Sequence, residues 1–137
     1  MKYPVIPCII AFIFILTGLS SCMHGNDTMD FDHAGGYVIG KETCNADTTK
    51  DYWLIDLSYV YNPPGYHYGD SITINGILYT HMIKTKQLLP VLQIIGKKVS
   101  FDFHISAAKL TTTGCTVANP VTYNLKTIEV INSFEIR

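Results

Sequence analysis

The sequence has few charged residues and no marked excess of either sign. Lys, Arg, Asp and Glu make up 15% of its 137 residues, and the formal net charge is −1. Because it lacks a broad basic field, we expect no binding to nucleic acid. Gly-x-Ser-x-Gly, phosphate-loop, His-Glu-x-x-His and paired-cysteine metal motifs are also absent from the sequence. We therefore predict no catalytic residue, no metal site and no cofactor, and expect that the protein is not an enzyme.

The sequence also lacks an apolar run of the length that crosses a bilayer comfortably. The longest, VIPCIIAFIFILTGL at 5–19, follows Met1-Lys2 and precedes two serines. A transmembrane helix needs about 20 apolar residues. A basic end, a shorter apolar run and small residues form the order of a secretory signal. We predict that residues 1–21 are a signal peptide, outside the folded domain.

The last four residues of this region, LSSC at 19–22, resemble the lipobox of bacterial lipoproteins. The resemblance implies cleavage just before Cys22 and a diacylglycerol on its sulfur, with fatty acids such as palmitate. Two or three acyl chains hold a protein on a membrane because each buried methylene contributes about 0.8 kcal/mol. The expected location is the bacterial cell envelope, at the periplasmic face or the cell surface of the outer membrane. The alternative is an ordinary signal peptide cut elsewhere, which leaves Cys22 a plain thiol.

The four cysteines can then be assigned. Cys8 leaves with the signal peptide and Cys22 carries lipid, so Cys44 and Cys115 remain in an oxidising compartment. Such a pair is expected to form a disulfide. In the chain-entropy model, closing a loop of about 70 residues stabilises the fold by about 4 kcal/mol.

Residues 22–36 are polar, acidic and end in two glycines, which predicts a flexible tether between anchor and domain. Several side chains in this segment could chelate a metal ion, but a solvated linker is the preferred interpretation. They are His24, Asp27, Asp30, Asp32 and His33.

Residues 37–137 carry the patterns of a small all-β domain. Strands are predicted in 37–44, 51–61, 71–86, 97–106 and 125–137, with a turn or short helix in 87–96. In the fourth strand, alternation points Val99, Phe101, Phe103 and Ile105 inward. The last strand loses its alternation near Asn132, as at a β-bulge. Asn75-Gly76 indicates either a full hairpin, and so a sixth strand, or a tight excursion within the third strand.

Five strands with a helical element after the third match the OB-fold, a small Greek-key barrel. In that fold Cys44 and Cys115 fall in two neighbouring loops, which agrees with the disulfide. The segments LLPVLQIIGKKVSFDFHIS and IEVINSFEI resemble small OB-like envelope lipoproteins of Bacteroidota, and the likeness implies a fold and a location but no activity. The alternative fold is an immunoglobulin-like β-sandwich, which needs about seven strands.

The leading functional hypothesis is a lipid-anchored envelope module that binds a glycan or an envelope protein. It would use loops 45–50 and 107–124, or the aromatic residues around Pro63-Pro64-Gly65, which are Tyr61, Tyr66, His67 and Tyr68. The alternatives are a small envelope enzyme or an inhibitor that acts on a protein partner. Asp102 and His104 share one face of a strand, but alternation alone places polar residues there.

Overall fold

A computed structural model describes residues 32–58 and 68–136. These residues form six strands: β1 (Asp32–Lys41), β2 (Trp53–Asp56), β3 (Asp70–Ile74), β4 (Ile77–Thr85), β5 (Lys98–Leu110) and β6 (Leu125–Glu135). Two short 3₁₀ turns, Thr48–Lys50 and Pro90–Leu92, lie between strands. Cys22 and the predicted signal peptide lie outside the described residues.

Five of the strands close into a ring. β1 pairs with β2 and β5, β2 pairs with β4, β4 pairs with β6, and β6 pairs with β5. Only the β4–β6 pairing among these is parallel. Around the ring the strands follow one another as β1, β2, β4, β6 and β5. Numbered along the chain without β3, this order is 1-2-3-5-4, which is the strand order of an OB barrel. The predicted small all-β barrel is confirmed, and the sandwich alternative is wrong because one sheet closes on itself.

β3 is added to this ring as the first arm of a hairpin. It pairs with β4 through the two-residue turn Asn75-Gly76, where both residues have positive φ, 52° and 80°. Such angles define a type I′ turn, whose twist matches that of the strands it joins. The hairpin interpretation of Asn75-Gly76 is therefore confirmed.

β1 begins earlier than the sequence suggested. Residues 32–36 were assigned to the tether, but Asp32 pairs with Phe103 and Gly36 pairs with Val99. The glycines that suggested a linker occupy a crowded crossing, since a Cβ on Gly36 would lie 2.3 Å from the carbonyl oxygen of Asp56. Here glycine permits a close approach of two backbones.

The core confirms most of the predicted alternation. Val99, Phe101 and Phe103 are fully buried, but Ile105 is 45% exposed, against the prediction. Within residues 32–58 and 68–136, β1 pairs with β5 as far as Phe103, and beyond it β5 and β6 continue as a ribbon to Leu110. The β5 side chains of that ribbon, 104–110, are exposed or half-buried, whereas Ile128 on the β6 side still belongs to the barrel core. The predicted loop 107–124 is consequently shorter and occupies 111–124.

Two further local predictions are confirmed. Asp102 pairs with Asn132 and Phe103 pairs with Val130, so Ile131 is the extra residue of a bulge. The segment 87–96 contains one 3₁₀ turn with Pro90 at its start, where a missing N–H is tolerated.

Candidate functional site

The two loops that were expected to be neighbours are covalently joined. Cys44 and Cys115 form a disulfide, and their Cα atoms lie 4.5 Å apart. The backbone N–H of Thr116 also donates to the carbonyl of Cys44 at 2.8 Å, and Thr43 forms a β-bridge with Val121. The predicted disulfide is confirmed, and it connects loop 42–52 to loop 111–124.

Loop 42–52 is organised around a buried carboxylate. Oδ1 of Asp51, a residue only 2% exposed, accepts hydrogen bonds from the backbone N–H groups of Cys44 and Asn45. It also accepts one from the Asn45 side chain at 2.7 Å. Hydrogen bonds to a charged acceptor are stronger than neutral ones. Asp51 therefore holds the backbone of loop 42–52 in place at Cys44, one of the two disulfide cysteines.

A buried ion pair fixes loop 111–124 to the barrel. Lys84 Nζ lies 2.8 Å from Glu42 Oε1, and both side chains have no exposed surface. The ammonium group also donates to Thr112 Oγ1 and to the carbonyl of Tyr123. Glu42 in turn accepts from Thr112 Oγ1 and from the N–H of Tyr123. All three ammonium donors are used, which is the condition under which a buried charge is tolerated.

This ion pair lies on the outer face of the barrel. Ile83 belongs to the barrel core, so its neighbour Lys84 points to the opposite face of β4. In an OB-fold the outer face of the second and third strands, bordered by the loops after strands one and four, carries the ligand. Here the corresponding strands are β2 and β4, and the corresponding loops are 42–52 and 111–124. The loops form a fixed border to that face.

A small cleft opens beside Tyr52, the last residue of loop 42–52. It has a volume of about 120 Å³ and is lined by Tyr52, Lys86, Gln87, Ser106, Thr127, Ile128 and Glu129. The ammonium groups of Lys84 and Lys86 lie 4.7 and 4.5 Å from the centroid of the Tyr52 ring. Partial burial, and secondarily the charge of Glu42, raise the pKa of the Tyr52 phenol. The phenol therefore stays a neutral hydrogen-bonding group at physiological pH.

The cleft combines an aromatic ring, hydroxyl groups, an amide and one charge of each sign. Such a lining can hydrogen-bond a polar, hydroxyl-bearing ligand and contact its apolar surface. Sequence reasoning did not single out Tyr52. Its partners in the lining come from β5, β6 and the two residues that follow β4, and their proximity requires the closed ring.

The structure describes only one of the four aromatic residues that were predicted to bind a ligand. Tyr61, Tyr66 and His67 lie outside the described residues. Tyr68 is 9% exposed, and its ring meets the ring of Phe103 edge-on with centroids 5.2 Å apart. Tyr68, one of the four predicted ligand-binding residues, is therefore packed in the barrel core and does not present its ring to solvent.

A second polar cluster joins β1 to β5. His33 Nδ1 lies 2.7 Å from Asp102 Oδ1, and Ser100 Oγ lies 3.0 Å from His33 Nε2. The hydrogen bond from His33 is the main cause that lowers the pKa of Asp102, and a weaker one from Asn132 adds to it. Sequence reasoning missed Ser100 as a partner, since 67 positions separate it from His33.

These contacts resemble a serine hydrolase triad in connectivity only. Acyl transfer also needs N–H donors aimed at the developing oxyanion. Ser100 is 4% exposed and lies in mid-strand, paired with Gly35 on one side and Phe134 on the other. The backbone there belongs to the sheet ladder. We interpret the cluster as a clasp that holds the start of β1 on β5.

The fold and its loops define a disulfide-linked, OB-like barrel. Comparisons of the chain with protein-family models, with curated proteins and with solved structures find no match. Across residues 32–58 and 68–136, no group of three or more His, Cys, Asp or Glu side chains is placed to hold a metal ion. In the same part of the chain, no helix has the length and apolar character needed to cross a membrane.

Proposed function

We propose that the protein is a lipid-anchored binding module of the bacterial cell envelope, with no catalytic activity of its own. The observation that carries the proposal is the disulfide between Cys44 and Cys115. Structural disulfides persist in oxidising compartments and are rare in the cytosol. Export agrees with the signal-like residues 1–21, and the LSSC motif supplies the anchor at Cys22.

The ligand of this module would occupy the cleft beside Tyr52. OB-folds bind oligonucleotides and oligosaccharides at the face of their second and third strands, which Tyr52 directly precedes here, and a net charge of −1 disfavours the former. The mixed polar lining of the cleft suits the hydroxyl groups of a sugar. We therefore favour an envelope glycan over a protein partner.

Lipidation is tested by metabolic labelling with an alkyne analogue of palmitate in a bacterial host. The wild-type chain should incorporate the label, and Cys22→Ala should not. Cys8→Ala is the matched control, because this cysteine lies within the predicted signal peptide and should leave labelling unchanged. Equal labelling of wild type and Cys22→Ala, or none in either, would remove the lipoprotein assignment.

Ligand binding is tested with glycans released from envelope extracts and a fluorescent derivative of the protein. Lys86→Gln should weaken retention at least about tenfold, since a charged hydrogen bond contributes roughly 1.5–3 kcal/mol. Lys50→Gln is the control, because its side chain is 68% exposed and lies outside the cleft. Equal retention by both variants would exclude the cleft. Capture of a protein and no glycan would favour the inhibitor or accessory alternative.

A further inference from the structure

The cleft beside Tyr52 is lined by one side chain of each charge. Lys86 directly follows β4, and Glu129 lies in β6. Within residues 32–58 and 68–136, neither charge forms an ion pair with the other or with a third residue. Two opposite charges that share a cleft without neutralising each other are both left for a ligand to pair with.

The ammonium group of Lys86 lies at the cleft with its hydrogen-bond donors unused. Its Nζ is 4.5 Å from the centroid of the Tyr52 ring, a contact made through charge rather than through a hydrogen bond. Lys84 contacts the same ring at 4.7 Å, but its three donors are used in the buried ion-pair network. In the described part of the chain, no residue accepts a hydrogen bond from Lys86. Lys86 is therefore the cation at this ring that can donate to a ligand.

The acceptors of the cleft come from β5 and β6. Glu129 is exposed, and among the described residues none donates a hydrogen bond to its carboxylate. The hydroxyl group of Ser106 donates to the carbonyl of Thr127, and that of Thr127 donates to the carbonyl of Leu125. Because a hydroxyl group has one donor and two acceptor lone pairs, both oxygens can still accept. This side of the cleft therefore offers acceptors to a cationic donor.

The volume of the cleft limits what it can enclose. Its volume of about 120 Å³ corresponds to about four water molecules at about 30 Å³ each. Sites that enclose a whole small-molecule ligand have roughly 300–1,000 Å³. The cleft therefore takes one small unit of a larger molecule, and both of its charges must be met within that unit.

We infer that the Tyr52 cleft recognises a dipolar sugar, which carries an amine and an acidic group on the same unit. The ammonium group of the sugar pairs with Glu129 and the two hydroxyl oxygens, and its carboxylate or phosphate pairs with Lys86. The inference rests on the proposed function for the choice of a glycan, whereas the requirement for both charges comes from the lining itself. A neutral or singly charged sugar leaves at least one charge of the cleft without a partner.

The test compares defined sugars as ligands of the full chain, processed in its host, isotope-labelled and extracted in a mild detergent. Muramic acid and glucosamine phosphate carry an amine together with a carboxylate or a phosphate. Glucosamine carries the amine alone, glucuronic acid and glucose phosphate carry the acid alone, and N-acetylglucosamine carries no charge. NMR titration of the backbone amides of Ser106 and Thr127 gives a dissociation constant for each sugar.

We expect one of the two dipolar sugars to bind at least about tenfold more tightly than every sugar with a single charge or none, because a hydrogen bond to a charged group contributes about that factor or more. The tighter of the two identifies the acidic group as a carboxylate or a phosphate. Lys86→Gln should reduce the affinity for that sugar to the value for the amine alone. Glu129→Gln should reduce it to the value for the acid alone.

Two exposed residues outside the cleft provide matched controls. Lys50→Gln removes a lysine whose side chain is 68% exposed, and Glu135→Gln removes a glutamate that lies in β6, as Glu129 does. Both control variants should keep the preference for the dipolar sugar.

Equal binding of all sugars, or binding of none, would overturn the inference, and so would a preference that survives Lys86→Gln or Glu129→Gln. Retention of released envelope glycans by the same preparation tests the proposed function separately. Retained glycans without the tenfold preference remove the dipolar ligand and leave the glycan-binding module. The preference without any retained glycan supports the dipolar ligand and removes the envelope glycan as its source.

Discussion

The buried pair of Lys84 and Glu42 gives a sharp test of how loop 111–124 is held. Lys84→Met removes the ammonium group and keeps a side chain of similar length. Glu42 then remains a buried carboxylate with two of its donors, Thr112 Oγ1 and the N–H of Tyr123. Removing one partner of a buried ion pair costs 3–5 kcal/mol. The two remaining donors place the expected loss at about 3 kcal/mol.

Urea denaturation of the oxidised protein measures this loss. With an m-value of about 1.5 kcal/mol/M for a domain of this size, 3 kcal/mol lowers the unfolding midpoint by about 2 M. Lys50→Met is the control, because the pair Lys50–Asp47 is exposed and such pairs contribute at most about 1 kcal/mol. Limited proteolysis should show earlier cleavage within 111–124 in Lys84→Met only.

The double variant Lys84→Met with Glu42→Gln separates charge from packing. Glutamine is neutral and keeps an oxygen that can accept from Thr112 and Tyr123, so the double variant should be more stable than Lys84→Met alone. If the two variants unfold at the same urea concentration, the loss comes from packing. A midpoint shift below 0.5 M in Lys84→Met would refute the importance of the ion pair.

Three other predictions follow from the fold. Replacing Cys44 and Cys115 with alanine should lower the free energy of unfolding by about 4 kcal/mol in urea, because the cysteines are 71 positions apart; an unchanged midpoint would contradict the chain-entropy account. Gly36→Ala should cost at least about 2 kcal/mol by thermal unfolding, since its Cβ would lie 2.3 Å from a carbonyl oxygen of β2, whereas Gly40→Ala has no atom within 4 Å and serves as control. The pKa of Asp102 is lowered chiefly by its histidine partner on β1, so its stabilising contribution is present above the unfolded-state pKa and disappears as the pH falls through the folded-state pKa. The stability difference between wild type and Asp102→Asn should accordingly shrink with acid, and a difference that grows with acid would show the opposite sign.

Local chemistry predicted those parts of the fold that depend on near neighbours. Asn75-Gly76 forms the hairpin that its φ preferences indicate, and Pro90 begins a 3₁₀ turn. Alternation identified Val99, Phe101 and Phe103 as core residues. These signals work because turn geometry and strand faces are decided within a few residues.

The failures come from contacts between distant parts of the chain. Alternation pointed Ile105 inward because it cannot reveal how far along β5 the described pairing with β1 extends. Gly36 suggested a linker because its crowding comes from β2, about 20 positions away. Lys84 was not singled out, since a lysine in a strand usually faces solvent, and its partner lies 42 positions away. The cleft beside Tyr52 could not be predicted for the same reason.

Loop 111–124 is held by more contacts than closure of the barrel requires. The five-stranded ring is complete through strand pairings alone, yet the disulfide and the buried ion pair both fix this loop to the region of residues 42–44. Ordering a loop of this length opposes folding through lost chain entropy. A fixed position for Tyr52, which ends loop 42–52 and lines the cleft, would justify that loss, because a preorganised site binds its ligand without a further ordering cost.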